Sequence, residues 1–370
     1  MPAAPAMPNP AAFFSQTYAE ARARFIELAD AQRLHVQSHL HPMLGRDGEP
    51  LAMDVAREGP ADAKALLVVS SACHGVEGFC GSGVQSALLA DPDWHDRVAR
   101  SGVAVLYIHA LNPYGFSWWC RTTHENVDLN RNFHDFTQTL PANPDYDRLA
   151  ALLVPPTWPP SDAVQASLDH FIAERGERAF QQAVTGGQHD HPEGLFYGGR
   201  GATWSQVTLR HVLQDHGQRC QRLAWIDLHT GLGPSGLGER IFACADDPAA
   251  LSRARAWWGD GHGGGITSIY DGSSTSASLT GLMWMAAYQE CPQAEYTGIA
   301  LEYGTLPILE VITALRADQW LETHPEAGEA QRSAIKRQLR DAFYTDTDGW
   351  KAAVVGQGVE AARQAVEGLA

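Results

Sequence analysis

The alternation of apolar and polar positions divides the chain into elements. Tyr18 to Leu34 sets Ala and Leu among Glu, Arg and Asp at helical spacing, which predicts a helix. His35 to Ala56 breaks into shorter pieces and predicts strands around the Gly45-Arg46-Asp47-Gly48 turn. Four runs are apolar, β-branched or aromatic throughout: Ala65 to Ser70, Val103 to His109, Leu223 to Leu228 and Ile299 to Glu302. Each has the length of a strand buried on both faces, as inner strands of a parallel sheet are. Gly83 to Ala90 and Ala163 to Glu174 are helix-compatible, and Glu326 to Phe343 and Lys351 to Leu369 predict closing helices. The pattern predicts an α/β fold, with a mixed, mostly parallel central sheet flanked by helices. Pro155, Pro156, Pro159 and Pro160 mark a surface connection. Gly186 to Gly201 forms a long excursion of the kind that is either functional or disordered.

Composition narrows the function. Of 370 residues, 44% are hydrophobic and 19% charged, enough apolar material for a packed core. The 27 Lys+Arg against 43 Asp+Glu leave a net charge of −16, which argues against a nucleic-acid partner, whose phosphates need a dense basic surface. The lysines are Lys64, Lys336 and Lys351, and none follows a glycine, which excludes a Gly-Lys-Ser/Thr phosphate loop. No run approaches the roughly 18 apolar residues of a membrane helix. Met1 to Phe14 has no basic region followed by an apolar stretch, so a cytoplasmic protein without a membrane partner is expected. The six cysteines are scattered with no Cys-x-x-Cys spacing, as ordinary reduced thiols are.

The chemistry lies where the apolar runs end. The first opens into His74-Gly75-Val76-Glu77-Gly78, the third leads to His229, and the fourth closes on Glu302. In an open α/β sheet, ligands bind at the carboxyl ends of the strands, so these four residues can meet in one crevice. Two imidazoles and a carboxylate suit Zn²⁺ and leave a coordination position open, as catalytic zinc sites do. A further carboxylate nearby can take a proton from water. His-x-x-Glu alone is a weak signal, because many such pairs are solvated helix neighbours. Beyond the second run lie Arg121 and Arg131, cations able to polarise a carbonyl or grip a carboxylate. The plainer reading pairs Arg121 with a surface acid and has Asn130 cap a turn.

His74-x-x-Glu77, Asn112-Pro113, Arg121, Asp128-Leu-Asn-Arg131, Asp227-Leu-His229 and Leu301-Glu302 occur in one order. That ordered set resembles the zinc carboxypeptidase superfamily, which includes carboxypeptidase A and the succinylglutamate desuccinylase and aspartoacylase branch. The Asp-Leu-Asn-Arg and Asp-Leu-His strings look closer to the latter. Gly194 to Ser205, with His74 to Ser82, resembles a poorly characterised, mostly bacterial branch. The resemblance spans about Ala65 to Pro307 and implies a zinc carboxypeptidase-like, phosphorylase/hydrolase-like fold. It implies His74, Glu77 and His229 as ligands of one Zn²⁺, and Glu302 as the base that activates the zinc-bound water and returns a proton to the leaving amine. By the same resemblance Arg121 stabilises the oxyanion, Asn130 and Arg131 clamp a substrate carboxylate, and Tyr270 is a candidate for a mobile tyrosine over the substrate. Asp227, two residues before His229, shares its strand face and is a candidate to orient it. Tyr114 departs from the pattern, standing where carboxypeptidases usually carry an acid.

Competing motifs are weaker. His35 and His39 are four apart but sit in turn and strand sequence with no third partner. His262-Gly263-Gly264-Gly265 resembles an esterase oxyanion loop, yet no Gly-x-Ser-x-Gly elbow accompanies it. His189 and His191 are expected to be ordinary exposed loop histidines. The expected organisation is an N-terminal helix and short strands (1–64) packed on a catalytic domain (65–310), followed by C-terminal helices (311–370). The expected activity is zinc-dependent hydrolysis of an amide bond next to a carboxylate, on a small-molecule or peptide substrate. Carboxypeptidase and N-acyl amino acid deacylase stay open as readings. The alternative is a non-catalytic zinc- or peptide-binding protein of the same fold.

Overall fold

A computed structural model describes residues 9–260 and 264–370. His262 and Gly263 of the His-Gly-Gly-Gly string therefore lie outside the described residues. Eight strands form one sheet: β1 Val36–Leu44, β2 Pro50–Glu58, β3 Ala65–Ser71, β4 Ala104–His109, β5 Arg222–Ser235, β6 Gly238–Phe242, β7 Ile266–Thr267 and β8 Glu295–Gly304. Their order is β1-β2-β4-β3-β5-β8-β6-β7. The four apolar runs are the inner strands β4-β3-β5-β8, paired parallel. The pairs β1-β2, β2-β4 and β6-β8 are antiparallel, so the sheet is mixed with a parallel centre, and helices cover it. The fold is α/β, as expected.

Where elements differ from expectation, tertiary packing is the reason. The helix expected from Gly83 begins at Gly78, directly after a 3₁₀ turn at Gly75–Glu77. Its glycines are weak helix formers, but a Cβ at Gly81 would lie 2.5 Å from Ser71 Cβ, so close packing on β3 outweighs propensity. The third run continues through His229 to Ser235. A crevice still opens at His229, because pairing with β3 ends at Ser71 opposite Leu228. An unforeseen helix, Ile308–Thr323, is buried on most of its circumference and so lacks an amphipathic stripe. Among the described residues, no helix is long and apolar enough to cross a membrane.

The C-terminal helices are fastened to the functional end of the sheet. The final carbonyls of a helix have no partner within it. In Glu329–Phe343, those of Ala342 and Phe343 accept hydrogen bonds of 2.7 Å from Thr305 Oγ1 and Thr230 Oγ1. Half-buried Lys336 and buried Asp318 form a 2.6 Å ion pair joining this helix to Ile308–Thr323. Gly231, with φ of +124°, lets the Phe343 ring approach; a Cβ there would meet that ring at 2.8 Å.

The turn at Gly75–Glu77 is seated on the chain around the short helix Pro113–Trp118. Gly75 N donates to Arg121 O at 3.1 Å and Val76 N to Cys120 O at 3.0 Å. A Cβ at Gly75 would lie 2.0 Å from the backbone of Gly115. We predict that Gly75→Ala lowers unfolding stability by roughly 1–3 kcal/mol through this overpacking, read in denaturant titration. An unchanged midpoint would show that the two segments can separate freely.

Candidate metal centre

His74 follows β3 and precedes the 3₁₀ turn that ends in Glu77. His229 and Glu302 are register partners on the adjacent parallel strands β5 and β8. One ligand atom from each of His74, Glu77 and His229 lies within 4.8 Å of the others, and all three residues are buried. His74 Nδ1 is 2.9 Å from Glu77 Oε1, His229 Nδ1 is 3.2 Å from Glu77 Oε2, and the two Nδ1 atoms are 3.3 Å apart. Three Lewis bases thus converge on one point, each through an atom with a lone pair.

The far edges of both rings meet carboxylates. His229 Nε2 abuts an Asp227 carboxylate oxygen, and His74 Nε2 lies 3.3 Å from Asp128 Oδ1. At His229 the acid behind the imidazole can take the Nε2 proton and leave Nδ1 free to ligate, an arrangement commonly found around protein-bound zinc, whereas His74 Nε2 also faces the Arg121 guanidinium, which can only donate. This donor set fits a divalent cation with affinity for nitrogen and oxygen, and with two imidazoles and one carboxylate it suits zinc. Without a cation, the facing Nδ1 atoms and the buried carboxylate require a shared proton to avoid repulsion. Burial alone would raise the Glu77 carboxyl, but the neighbouring His74 and His229 hold it well below the usual range.

Cys73 also lies within ligating distance of Asp227 and His229, but burial and the surrounding acids push its thiol well up, away from the thiolate a metal needs.

Arg121 is held from two sides. Its Nε donates to Asp128 Oδ2 at 2.9 Å and its Nη1 to Glu77 Oε1 at 3.1 Å, while Nη2 lies 2.8 Å from His74 Nε2. Burial lowers its pKa, yet Asp128 and Glu77 raise it more, so it stays charged. Asp128 is therefore the hub of this cluster, contacting both His74 and Arg121. Sequence reasoning had the motif but not this role, which depends on chain segments far apart in sequence. Asn112 of the Asn-Pro pair is structural: its Oδ1 accepts from Gly115 N and its Nδ2 donates to Thr122 O, each at 2.9 Å. Tyr114 stacks on Trp118 with ring centroids 5.8 Å apart.

His74, Glu77, Arg121 and His229 line a cleft whose wall also includes Glu302, Asn130, Arg131, Thr185, Phe196 and Trp284. Glu302 Oε1 accepts from Leu232 N at 3.1 Å. Burial, then the charge of Glu77, push the Glu302 carboxyl up to about 8. Arg131 donates Nε and Nη2 to Thr185 O at 3.1 and 2.7 Å and Nη1 to Asn130 O at 2.8 Å. Among the described residues its hydrogen-bond partners are all neutral carbonyls. Asn130 Oδ1 accepts from Met283 N at 2.9 Å, leaving its amide hydrogens for a ligand.

Tyr270 is not brought to the cleft: its side chain is 43% exposed and its hydroxyl donates to Cys244 O at 2.9 Å, while the preceding Ile269 lines the wall. The long excursion after Gly186 is ordered against the site. Asp128 N donates to Tyr197 O at 2.8 Å, and the Phe196 ring sits 4.9 Å from the Arg121 guanidinium carbon and 5.7 Å from that of Arg131. His191 reaches the surface and meets Asp147, whereas His189 is buried and hydrogen-bonds Gly199 O, so only the first matches the expected exposed loop histidine.

No curated protein matches the chain. Bovine thrombin-activatable fibrinolysis inhibitor, solved with a tick carboxypeptidase inhibitor, superposes with a TM-score of 0.51 at 10% identity, over 95% of this chain and 96% of its own. Carboxypeptidase A from Helicoverpa armigera gives 0.44 at 14% identity, covering 88% and 74% of the two chains. A succinylglutamate desuccinylase from a Silicibacter species gives 0.36 at 13% identity, covering 84% and 65%. The likeness to the first of these is one of fold. By sequence, a family model described as "Protein of unknown function (DUF2817)" matches residues 14–357, and the chain belongs to that family.

Proposed function

We propose that this protein is a zinc-dependent hydrolase that cleaves an amide bond beside a substrate carboxylate. The observation that carries this reading is the convergence of His74 Nδ1, Glu77 and His229 Nδ1, with Glu302 in register beside His229. A site built only to hold a metal has no use for a further buried carboxylate and two arginines in the same cleft, which favours a catalyst over a binding protein.

His74, Glu77 and His229 would hold the ion. Zinc, when bound, supplies a Lewis acid and lowers the pKa of water to about 7. Glu302 takes a proton from the attacking water and hands it to the leaving nitrogen, a transfer suited to a carboxyl whose affinity for protons burial has raised. Arg121, fixed by Asp128, donates to the carbonyl oxygen as it gains negative charge. Arg131 and the free amide of Asn130 grip the substrate carboxylate, and Phe196 keeps water from both guanidiniums. Tyr270 has no part in this reading.

Elemental analysis of the purified protein should find one zinc per chain. Glu302→Gln should retain it while hydrolysis of N-acyl amino acids and C-terminal peptides falls about 10²–10⁴-fold. His74→Ala should lose both metal and activity; full activity in that variant would sink the metallohydrolase reading. Asp227→Asn should weaken zinc binding about 10–100-fold in a chelator competition, because the amide cannot hold the His229 tautomer as the acid does. Arg131→Met should erase the preference for a free substrate carboxylate over its carboxamide, a loss of about 10–100-fold in kcat/KM for the acid.

A further inference from the structure

The part of the cleft beyond the metal ligands has its own character. Ile308, Val311, Ile312 and Leu315 of the Ile308–Thr323 helix line it together with Phe343 and Phe196. Apart from the half-buried Ile308, these side chains are at most 5% exposed, so the cleft reaches into the interior between helices and is not a surface groove. Phe343 is fixed there by the Thr230 hydroxyl and by its contact with Gly231, beside the ligand His229.

The charged side chains of the cleft are those already assigned to chemistry or carboxylate binding: Glu77, Arg121, Arg131 and Glu302, with the two histidines. The uncharged polar residues of the wall are turned to the protein. Thr185 Oγ1 donates to Gln181 O and Gln181 Nε2 to Thr275 O, both at 2.9 Å; Thr230 Oγ1 donates to Phe343 O at 2.7 Å and Ser276 Oγ to Ala277 O at 3.2 Å. Once a carboxylate sits at Arg131 and Asn130, the recess offers the rest of a substrate almost nothing but apolar surface. A second carboxylate there would be buried with the other cation, Arg121, already paired with Glu77 and Asp128, and an ammonium would find no acid not already engaged or assigned; both costs are large.

We propose that the substrate is an N-acyl amino acid whose acyl group is an uncharged aliphatic chain or aromatic ring, housed in the recess walled by Val311, Ile312, Leu315 and Phe343. This inference rests on the hydrolase reading for the position of the scissile bond, but the recess itself does not depend on turnover. Each methylene buried in such a wall strengthens binding several-fold, and a wall without donors rejects charged analogues.

The test compares the N-acetyl, N-hexanoyl, N-benzoyl and N-succinyl derivatives of one amino acid. Hydrolysis is measured with the zinc-loaded wild type, and equilibrium binding with Glu302→Gln by titration calorimetry. The hexanoyl and benzoyl compounds should exceed the acetyl one about tenfold or more in both measurements, with succinyl the poorest. Val311→Thr, which keeps the shape of the side chain and adds a hydroxyl, should lower the hexanoyl-to-acetyl ratio several-fold. Ile308→Gln, at a half-buried position where the fold has less at stake, should do the same. Hydrolysis indifferent to the acyl group, or a preference for succinyl, would overturn the recess while leaving the hydrolase reading standing. Selective binding of the apolar compounds with no wild-type turnover would keep the recess and overturn the hydrolase. If the compounds neither bind nor react, both fall.

Discussion

Glu77 is a carboxylate taken out of water and set against two imidazole nitrogens, and much of the structure exists to make that placement tolerable. An isolated charge so buried would simply take up a proton. This one has Arg121 Nη1 at 3.1 Å and the amide of Thr230 at 3.0 Å on its two oxygens, as well as His74 and His229. Those partners come from the β3 turn, the segment after β4 and the far part of β5. They can meet only because β4, β3 and β5 are adjacent and parallel, so that the chain leaves β3 and β4 at the end of the sheet where β5 runs on. The sheet order and the chemistry of the site are thus one constraint.

Much of this was legible in the sequence because inner parallel strands are apolar on both faces and show as unbroken runs. The polar residue that ends such a run stands out, which is how His74 and Glu302 could be found. His229 was found although β5 does not end there; the signal was the end of the apolar stretch, and the structural event is the loss of β3 as a neighbour. The strands β6 and β7 are short and lie toward the sheet edge, and so give little periodicity to detect. The Ile308–Thr323 helix is masked for the opposite reason, being buried nearly all round. Asp128 could be read as part of a motif but not as the acid behind His74, since that role exists only once the β3 turn and the Arg121 loop touch. Tyr270 shows the limit of arguing from order along the chain: a tyrosine upstream of Glu302 was present, but its hydroxyl is spent on the Cys244 carbonyl.

The C-terminal helices bear on the site more directly than their place in the chain suggests. The family match begins at residue 14 and runs to residue 357, well past the motifs at both ends. Thr230 within β5 and Thr305 just beyond β8 supply the hydrogen bonds that the last turn of Glu329–Phe343 cannot make for itself, and the Lys336–Asp318 pair carries that anchoring to the preceding helix Ile308–Thr323. A buried pair of this kind adds little net stability, because desolvation offsets most of the attraction, but breaking one partner is costly and so fixes how the helices lie. The register of those helices in turn decides which apolar side chains face the cleft beside His74, Glu77 and His229.

A protein of net charge −16 repels anions at long range, and at physiological salt that repulsion is screened within about 8 Å of the surface. Within the cleft the local balance differs. The charge of Arg121 is answered by direct ion pairs with Glu77 and Asp128, whereas Arg131 hydrogen-bonds neutral carbonyls and feels Asp128 through space. Burial lowers the Arg131 pKa to about 10, with Asp128 opposing the shift and Arg121 adding to it. One negative charge on a ligand is therefore welcome at one point of the cleft. On the proposed reading, a further charge on the substrate would meet either Glu77 and Glu302 or an apolar wall, and the cleft would favour a monoanion over a dianion.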